Sequence, residues 1–278
     1  MGIFDGCLLA CDVDGTLISS GVLPPENLEK IKYFISEGGA FCLCSGRSVE
    51  GLMPIRRMLE GNVQYCVAQN GAVVYDFVNK KTLKAETLPE EDKHYVKYIT
   101  ENLADEVAVK IYVSDHSYTI NRNIETDDHE SYEELTTKFV TYNDIKDIKW
   151  CKAIMFPLNG EIYEKVVDLV PKEHHSNFVR TNAHVYGRLR NYFEQLPFGV
   201  SKATSLDFLK KMLNVKEGGL FGIGDYYNDV EMICFSDIGA ATAEAPDDIK
   251  EKAQYITCPC DEGSVADFID YLTKIKGE

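Results

Sequence analysis

No apolar stretch of the 278-residue chain approaches the roughly 18 residues that a membrane-spanning helix requires. The first residues carry Asp5 and no basic segment, so no secretory leader is expected. Gly6 stands where a myristoylation signal after Met1-Gly2 would need Ser or Thr. Basic residues are the scarcer charge: 29 Lys and Arg against 45 Asp and Glu give a net charge of −16. Nucleic acids and anionic membrane surfaces are bound through cations that neutralise phosphate, so neither is expected as a partner. The nine cysteines include no second pair at zinc-ligand spacing to complement Cys258-Pro259-Cys260, which therefore reads as a loop. Most of the others (Cys7, Cys11, Cys42, Cys44, Cys66) sit in apolar strand-like runs, as reduced thiols of a cytoplasmic protein would. No internal repeat or low-complexity tract is present. What the chain does have is an apolar fraction of 45%, enough for a sizeable core in one large or two ordinary domains.

The stretch Cys7-Leu8-Leu9-Ala10-Cys11-Asp12-Val13-Asp14-Gly15-Thr16-Leu17 carries the most information. Its unbroken apolar run reads as a parallel strand covered on both faces. Asp12 and Asp14 follow at the carboxyl end of that strand, the edge at which open α/β sheets bind ligands. Two carboxylates leaving on the same side, with a carbonyl between them, make a hard-oxygen site suited to Mg²⁺. Gly15 then lets the backbone turn sharply. In isolation Asp-x-Asp-Gly is also an ordinary surface turn. A Ca²⁺ loop of the EF-hand kind is not supported, because Leu23 falls at the twelfth position, where a bidentate Glu is needed.

Further along, strand, helix and turn signals alternate. An amphipathic stripe (Leu28, Ile31, Phe34, Ile35) between Pro25 and Gly38-Gly39 predicts a helix. A buried strand over residues 40–44 then ends in Ser45-Gly46-Arg47, a hydroxyl and helix start that together suit an anion. A third strand over residues 65–68 closes on Gln69-Asn70-Gly71, a hairpin signal. From about residue 89 to 184, amphipathic helices are interleaved with short strands, which suggests a separate inserted α+β layer. Within it the acidic run Glu125-Thr126-Asp127-Asp128 with His129 reads as a solvated loop. The first pattern then resumes with Ser201 capping a helix that begins at Lys202, and with a strand ending in Gly224-Asp225-Tyr226-Tyr227-Asn228-Asp229.

Taken together, four elements in order resemble the haloacid dehalogenase superfamily of phosphotransferases: Asp12-Val13-Asp14-Gly15-Thr16, Ser45, Lys202, and Gly224-Asp225-Tyr226-Tyr227-Asn228-Asp229. The contexts Asn70-Gly71-Ala72 and Gly199-Val200-Ser201-Lys202, with the insertion between the second and third elements, resemble its Cof-like phosphatase branch with a type IIB cap. Two positions depart from the pattern. Ala203 replaces the usual glycine after the lysine, and Glu244 stands where the branch usually has Asn.

The resemblance implies an α/β protein with a doubly wound, mainly parallel sheet core over residues 1–84 and 191–278 and an inserted α+β cap over 85–190. It implies a Mg²⁺-dependent phosphatase acting on a small phosphorylated metabolite, a sugar phosphate being the leading class, through an aspartyl-phosphate. Asp12 would be the nucleophile and Asp14 the general acid and base. Mg²⁺ would be held by the Asp12 and Asp225 carboxylates and the Asp14 carbonyl. Ser45, Gly46, Arg47, Asn70, Lys202 and Asn228 would bind phosphate or substrate, with Asp229 supporting them from behind. A phosphomutase of the phosphomannomutase type and a non-catalytic metal or ligand binder on the same fold are the alternatives. A monomer or small homo-oligomer in the cytoplasm is expected.

Overall fold

The run Leu8–Cys11 forms the first strand, β1, and all four of its side chains are fully buried. Such burial follows from its neighbours: it pairs in parallel with a strand on each side, so both of its faces must be covered by other elements. In the computed structural model, residues 2–135, 137–185 and 188–277 are described. The chain divides into two units, one made of residues 1–46, 53–83 and 201–278, the other of 47–52 and 84–200.

The first unit is built on a sheet of β1, β2 (Ala40–Cys44), β3 (Tyr65–Ala68), β4 (Val73–Asp76), β5 (Lys81–Ala85) and three late strands. Those belonging to the second unit are β6 (Val107–Tyr112), β7 (Ser117–Ile120), β8 (Lys138–Phe139), β9 (Lys152–Pro157), β10 (Ser176–Val185) and β11 (Arg188–Pro197). The late strands of the first sheet are β12 (Leu220–Gly224), β13 (Ile238–Ala241) and β14 (Tyr255–Ile256). Its order is β14-β13-β12-β1-β2-β3-β4-β5. Pairing is parallel from β14 to β3, and β4 is antiparallel to β3. The chain winds one way from β1 through β2 to β3 and the other way from β12 to β14. The order therefore reverses between β1 and β12, and a crevice opens at the carboxyl ends of those two strands.

Helix α1 (Pro25–Ser36) sits on one face, where Phe34 meets Phe4 and the Phe221 ring. On the other, a helix over Lys202–Met212 inserts Leu206 and Leu209 among Leu8, Ala10, Cys42 and Cys44. The cysteines there behave as small apolar residues, and burial raises the thiol pKa values of Cys11, Cys44 and Cys66.

The second unit has a six-stranded sheet of order β10-β11-β9-β6-β7-β8, antiparallel throughout except between β7 and β8. Its two faces differ in kind. Val107, Val109, Ile111, Ala153, Met155 and Phe193 form an apolar face that packs with Trp150, Tyr95, Val96, Ile162 and Val166. Alternate residues of the same strands (Lys110, Tyr112, Lys152, Tyr192, Glu194) form a polar face that is nonetheless buried.

Two expectations change here. The run 125–129 is not a loop. It lies in a helix, Ile124–Tyr132, whose start is fixed by a capping box between Asn123 and Thr126. Glu125 and His129, four residues apart, turn inward, where Arg190 pairs with Glu125 and with Asp128. The second unit also runs to Val200, past the expected boundary at 190, because the whole of β11 pairs within its sheet. Among the described residues, no helix is long and apolar enough to cross a membrane.

Candidate active site

Asp12 follows β1 directly, and its amide donates to the carbonyl of Ile223 on β12 at 3.0 Å. The carboxylate is thus fixed at the crevice between the two strands. The chain then doubles back through Gly15, whose φ of +87° favours glycine. A Cβ at this position would stand 2.5 Å from Asp225 Oδ2, so the missing side chain also admits the second carboxylate. The loop closes by Gly15 N donating to Ile18 O at 3.0 Å and Ile18 N donating to Val13 O at 2.9 Å, with Asp14 half-buried on its rim.

At the end of β12, Asp225 accepts a hydrogen bond from Thr16 Oγ1 at 3.1 Å. The short turn Tyr227–Asp229 brings Asp229 back underneath. Its Oδ2 accepts from the amides of Asp225 and Tyr226, both at 3.2 Å, and its Oδ1 accepts from Lys202 Nζ at 2.5 Å. Lys202 Nζ also donates to Asp12 Oδ1 at 2.6 Å. Lys202 is the first residue of its helix, capped by Ser201, and the position of that helix is set by the Asn70-Gly71 turn. Gly71 approaches so closely that a Cβ would lie 2.1 Å from the Ser201 carbonyl oxygen, while Ser205 Oγ donates to Gly71 O at 2.5 Å.

One carboxylate oxygen from each of Asp12, Asp225 and Asp229 falls within 4.8 Å of the others. Three carboxylates and one ammonium leave two negative charges uncompensated in a largely buried place. Burial, then Asp229, push the Asp12 carboxyl well above its usual range, against the pull of Lys202. Burial and Asp229 likewise raise Asp225, to about 7. Burial alone would lower Lys202, but Asp12 and Asp229 outweigh it and hold the amine above the ordinary lysine range. A hard divalent cation fits this donor set: the ligand atoms are all oxygens, and the neighbouring Cys260 thiol, pushed up to about 12 by burial and Glu244, stays protonated. Since Asp229 is already engaged by Lys202 and two amides, Asp12 and Asp225 are the carboxylates best able to bind the cation.

The other expected residues fall into two groups. Ser45 is buried at the end of β2, donates its amide to Val67 O at 2.9 Å and accepts from the Asn70 amide at 3.0 Å. Asn70, at φ +55°, accepts from Asn228 Nδ2 at 3.3 Å, and Gly46 lies beside its side chain. Ser45, Gly46, Asn70 and Asn228 are therefore gathered together. Arg47 belongs to the second unit, where its guanidinium lies over the Tyr132 ring, 5.4 Å from the centroid, and is 3.4 Å from Gly51 O. Ala203 is buried in the first turn of its helix, and Glu244 Oε1 accepts from the Cys260 amide at 2.8 Å. Sequence reasoning missed the use of Thr16 as the group that orients Asp225, although the hydroxyl stands next to Gly15 in the first motif.

A family profile described as haloacid dehalogenase-like hydrolase matches residues 9–269. The chain belongs to that family of hydrolases. It is 25% identical over 292 aligned positions to the 5-amino-6-(5-phospho-D-ribitylamino)uracil phosphatase YwtE of Bacillus subtilis, covering 95% of this chain and 97% of that one. The solved structure of the subclass IIB sugar phosphatase BT4131 superimposes with a TM-score of 0.80 at 17% identity, over 96% of this chain and 98% of that one. A haloacid dehalogenase-like hydrolase from Bacteroides thetaiotaomicron gives a TM-score of 0.79 at 24% identity, over 96% and 99%.

Proposed function

We propose that the protein is a Mg²⁺-dependent phosphatase that hydrolyses a small phosphorylated metabolite, with sugar phosphates as the leading class. The observation that carries this reading is the Asp12 carboxylate, buried, 2.6 Å from an ammonium that is itself pinned by Asp229, and within reach of Asp225.

In this reading, Asp12 attacks phosphorus and forms an aspartyl-phosphate. The ester P–O bond breaks as Asp14 delivers a proton to the departing oxygen. Asp14, now a carboxylate, takes a proton from the water that attacks the same phosphorus, releasing inorganic phosphate and restoring Asp12. Lys202 offsets the negative charge of Asp12 as the phosphate approaches. Ser45, with the backbone at Gly46, and the side chains of Asn70 and Asn228 hold the phosphate oxygens. Mg²⁺, held by Asp12, Asp225 and the Asp14 carbonyl, would neutralise charge on the transferring group. Asp229 keeps Lys202 and the Asp225 amide in place.

The preference for a sugar rests on the likeness in fold to the subclass IIB sugar phosphatase BT4131. The test is a phosphate-release screen over phosphorylated metabolites with Mg²⁺ present. Release from sugar phosphates is the expected result. Transfer of phosphate within a sugar without release would favour a mutase, and binding with neither outcome would overturn the catalytic reading.

A further inference from the structure

The Thr16 hydroxyl orients Asp225, and Thr16 is itself held from an unexpected direction. Its carbonyl oxygen accepts two hydrogen bonds, from Ser264 Oγ at 2.7 Å and from Cys260 Sγ at 3.1 Å. Both donors are buried. A backbone carbonyl has two lone pairs, and here both are used. This fixes the plane of the peptide that follows Thr16, and with it the direction in which the Thr16 side chain leaves the loop. The next carbonyl, Leu17 O, accepts from Asn27 Nδ2 at 3.0 Å, and Asn27 Oδ1 in turn accepts from the Ala266 amide at 2.8 Å.

The donor turn is anchored as well. Cys260 opens the single turn Cys260–Glu262, and its amide donates to Glu244 Oε1 at 2.8 Å. Just before the turn, the Cys258 amide donates to Asp267 Oδ2 at 2.8 Å. A continuous hydrogen-bonded path therefore runs from Glu244 through Cys260 to Thr16 and on to Asp225. Glu244 is one of the two positions at which the sequence departs from the family pattern it resembles.

We propose that Ser264, Cys260 and Glu244 are positioning residues of the cation site: they clamp Thr16 so that its hydroxyl holds Asp225 in the geometry that binds the divalent ion. The inference rests on the reading of Asp12 and Asp225 as cation ligands. The three act through Thr16 and not on the reacting groups, so the effect belongs in the affinity for the ion and not in the chemistry once the ion is bound. Glu244 is exposed, and its contribution is the smallest of the three.

The test is isothermal titration of Mg²⁺ into cation-free protein, native and variant, with no substrate present. Ser264→Ala and Cys260→Ala are each expected to raise the Mg²⁺ dissociation constant about fivefold, the loss of one hydrogen bond. Cys260→Ser, which keeps a donor, should restore most of the affinity, and Glu244→Ala should raise the constant about twofold. At saturating Mg²⁺, kcat and the substrate KM of all these variants should match the native enzyme. A role in stability alone would lower the melting temperature in EDTA and leave the Mg²⁺ constant of the folded protein unchanged; that result overturns the proposal. Should Ser264→Ala fail to fold, Cys260→Ala and the exposed Glu244→Ala still decide the matter. If the native protein binds no Mg²⁺, the site reading falls and the clamp with it. If native and variants bind Mg²⁺ alike, the clamp alone falls.

Discussion

Two lysines, Lys202 in the first unit and Lys110 in the second, are each almost fully buried, yet their surroundings are opposite in kind. Lys202 is bonded to two carboxylates at 2.5 and 2.6 Å, and its amine is held above the ordinary range. The Lys110 amine makes no hydrogen bond among the described residues. It pairs with Glu130 Oε1 at 3.5 Å, an oxygen that already accepts from Thr119 and Thr137. Burial lowers the pKa of Lys110, although Glu133 and Glu130 oppose it. A charge saturated by its own protein is preorganised for a fixed reaction, whereas one left short of partners suits recognition of something supplied from outside. Under the proposed reading, the saturated charge of Lys202 is the one that serves the chemistry.

Breaking the saturated side should have the largest effect. Asp12→Asn is expected to lower kcat by about 10⁴-fold or more, since the nucleophile is lost. Asp14→Asn sharpens the point with a substrate whose leaving group departs unprotonated. A burst of about one equivalent per site followed by slow turnover should appear, because attack needs no acid while hydrolysis of the intermediate still needs a base. Acid-quenched Asp14→Asn that turns over without labelled phosphate on the protein would rule out a covalent role for Asp12.

Next in size is the contrast between the lysines themselves. Lys202→Met leaves Asp12 and Asp229 facing each other in a buried site, and thermal or denaturant unfolding without cation should show a loss of about 3–5 kcal/mol. Lys110→Met removes an amine whose partner Glu130 lies at 3.5 Å and keeps two hydroxyl donors, so the same measurement should show a smaller loss, about 1–2 kcal/mol. If Lys110→Met destabilises as much as Lys202→Met, the distinction between saturated and unsatisfied charge is wrong.

A smaller effect concerns pH. Asp225 has its folded-state value raised to about 7, above the ordinary carboxylate value near 4. The cation-free fold therefore favours its neutral form. The stability this provides is complete below the unfolded-state value and is lost as pH rises through about 7. Binding of Mg²⁺ displaces the proton, so the rise in melting temperature on adding Mg²⁺ should be small at about pH 5 and larger at about pH 8. The opposite trend in a thermal-shift series would remove Asp225 from the ligand set.

The part of the structure legible in the sequence was the part specified locally. Leu8 to Cys11 announce a buried strand, and the residues following such strands are, by the construction of the fold, those at the sheet's carboxyl edge. Hence Asp12 and Ser45 could be singled out from position, whereas Asn70, a hairpin signal on its own, and Asp225 were named through the family resemblance. The second unit was harder because its strands alternate apolar residues with buried charged ones: Lys110, Lys152 and Glu194 look like solvent-facing positions until Lys152 and Glu194 are seen paired at 2.8 Å. The helix Ile124–Tyr132 was hidden for the same reason, since the charge that compensates Glu125 comes from Arg190 on another strand. Ser264 was out of reach altogether, being 248 residues from the carbonyl it holds.

The order in which β1 acquires its neighbours has a bearing on how the protein is made in a cell. β2 emerges from the ribosome soon after β1, but β12, which covers the other edge, comes after the whole of the second unit's long segment. Lys202, the counter-charge of Asp12, lies 190 residues downstream of it. For most of translation the nascent chain thus carries an open apolar strand edge with a carboxylate at its end, a surface to which chaperones bind and at which neighbouring chains can pair. The segment 84–200, by contrast, is complete as soon as it has left the exit tunnel.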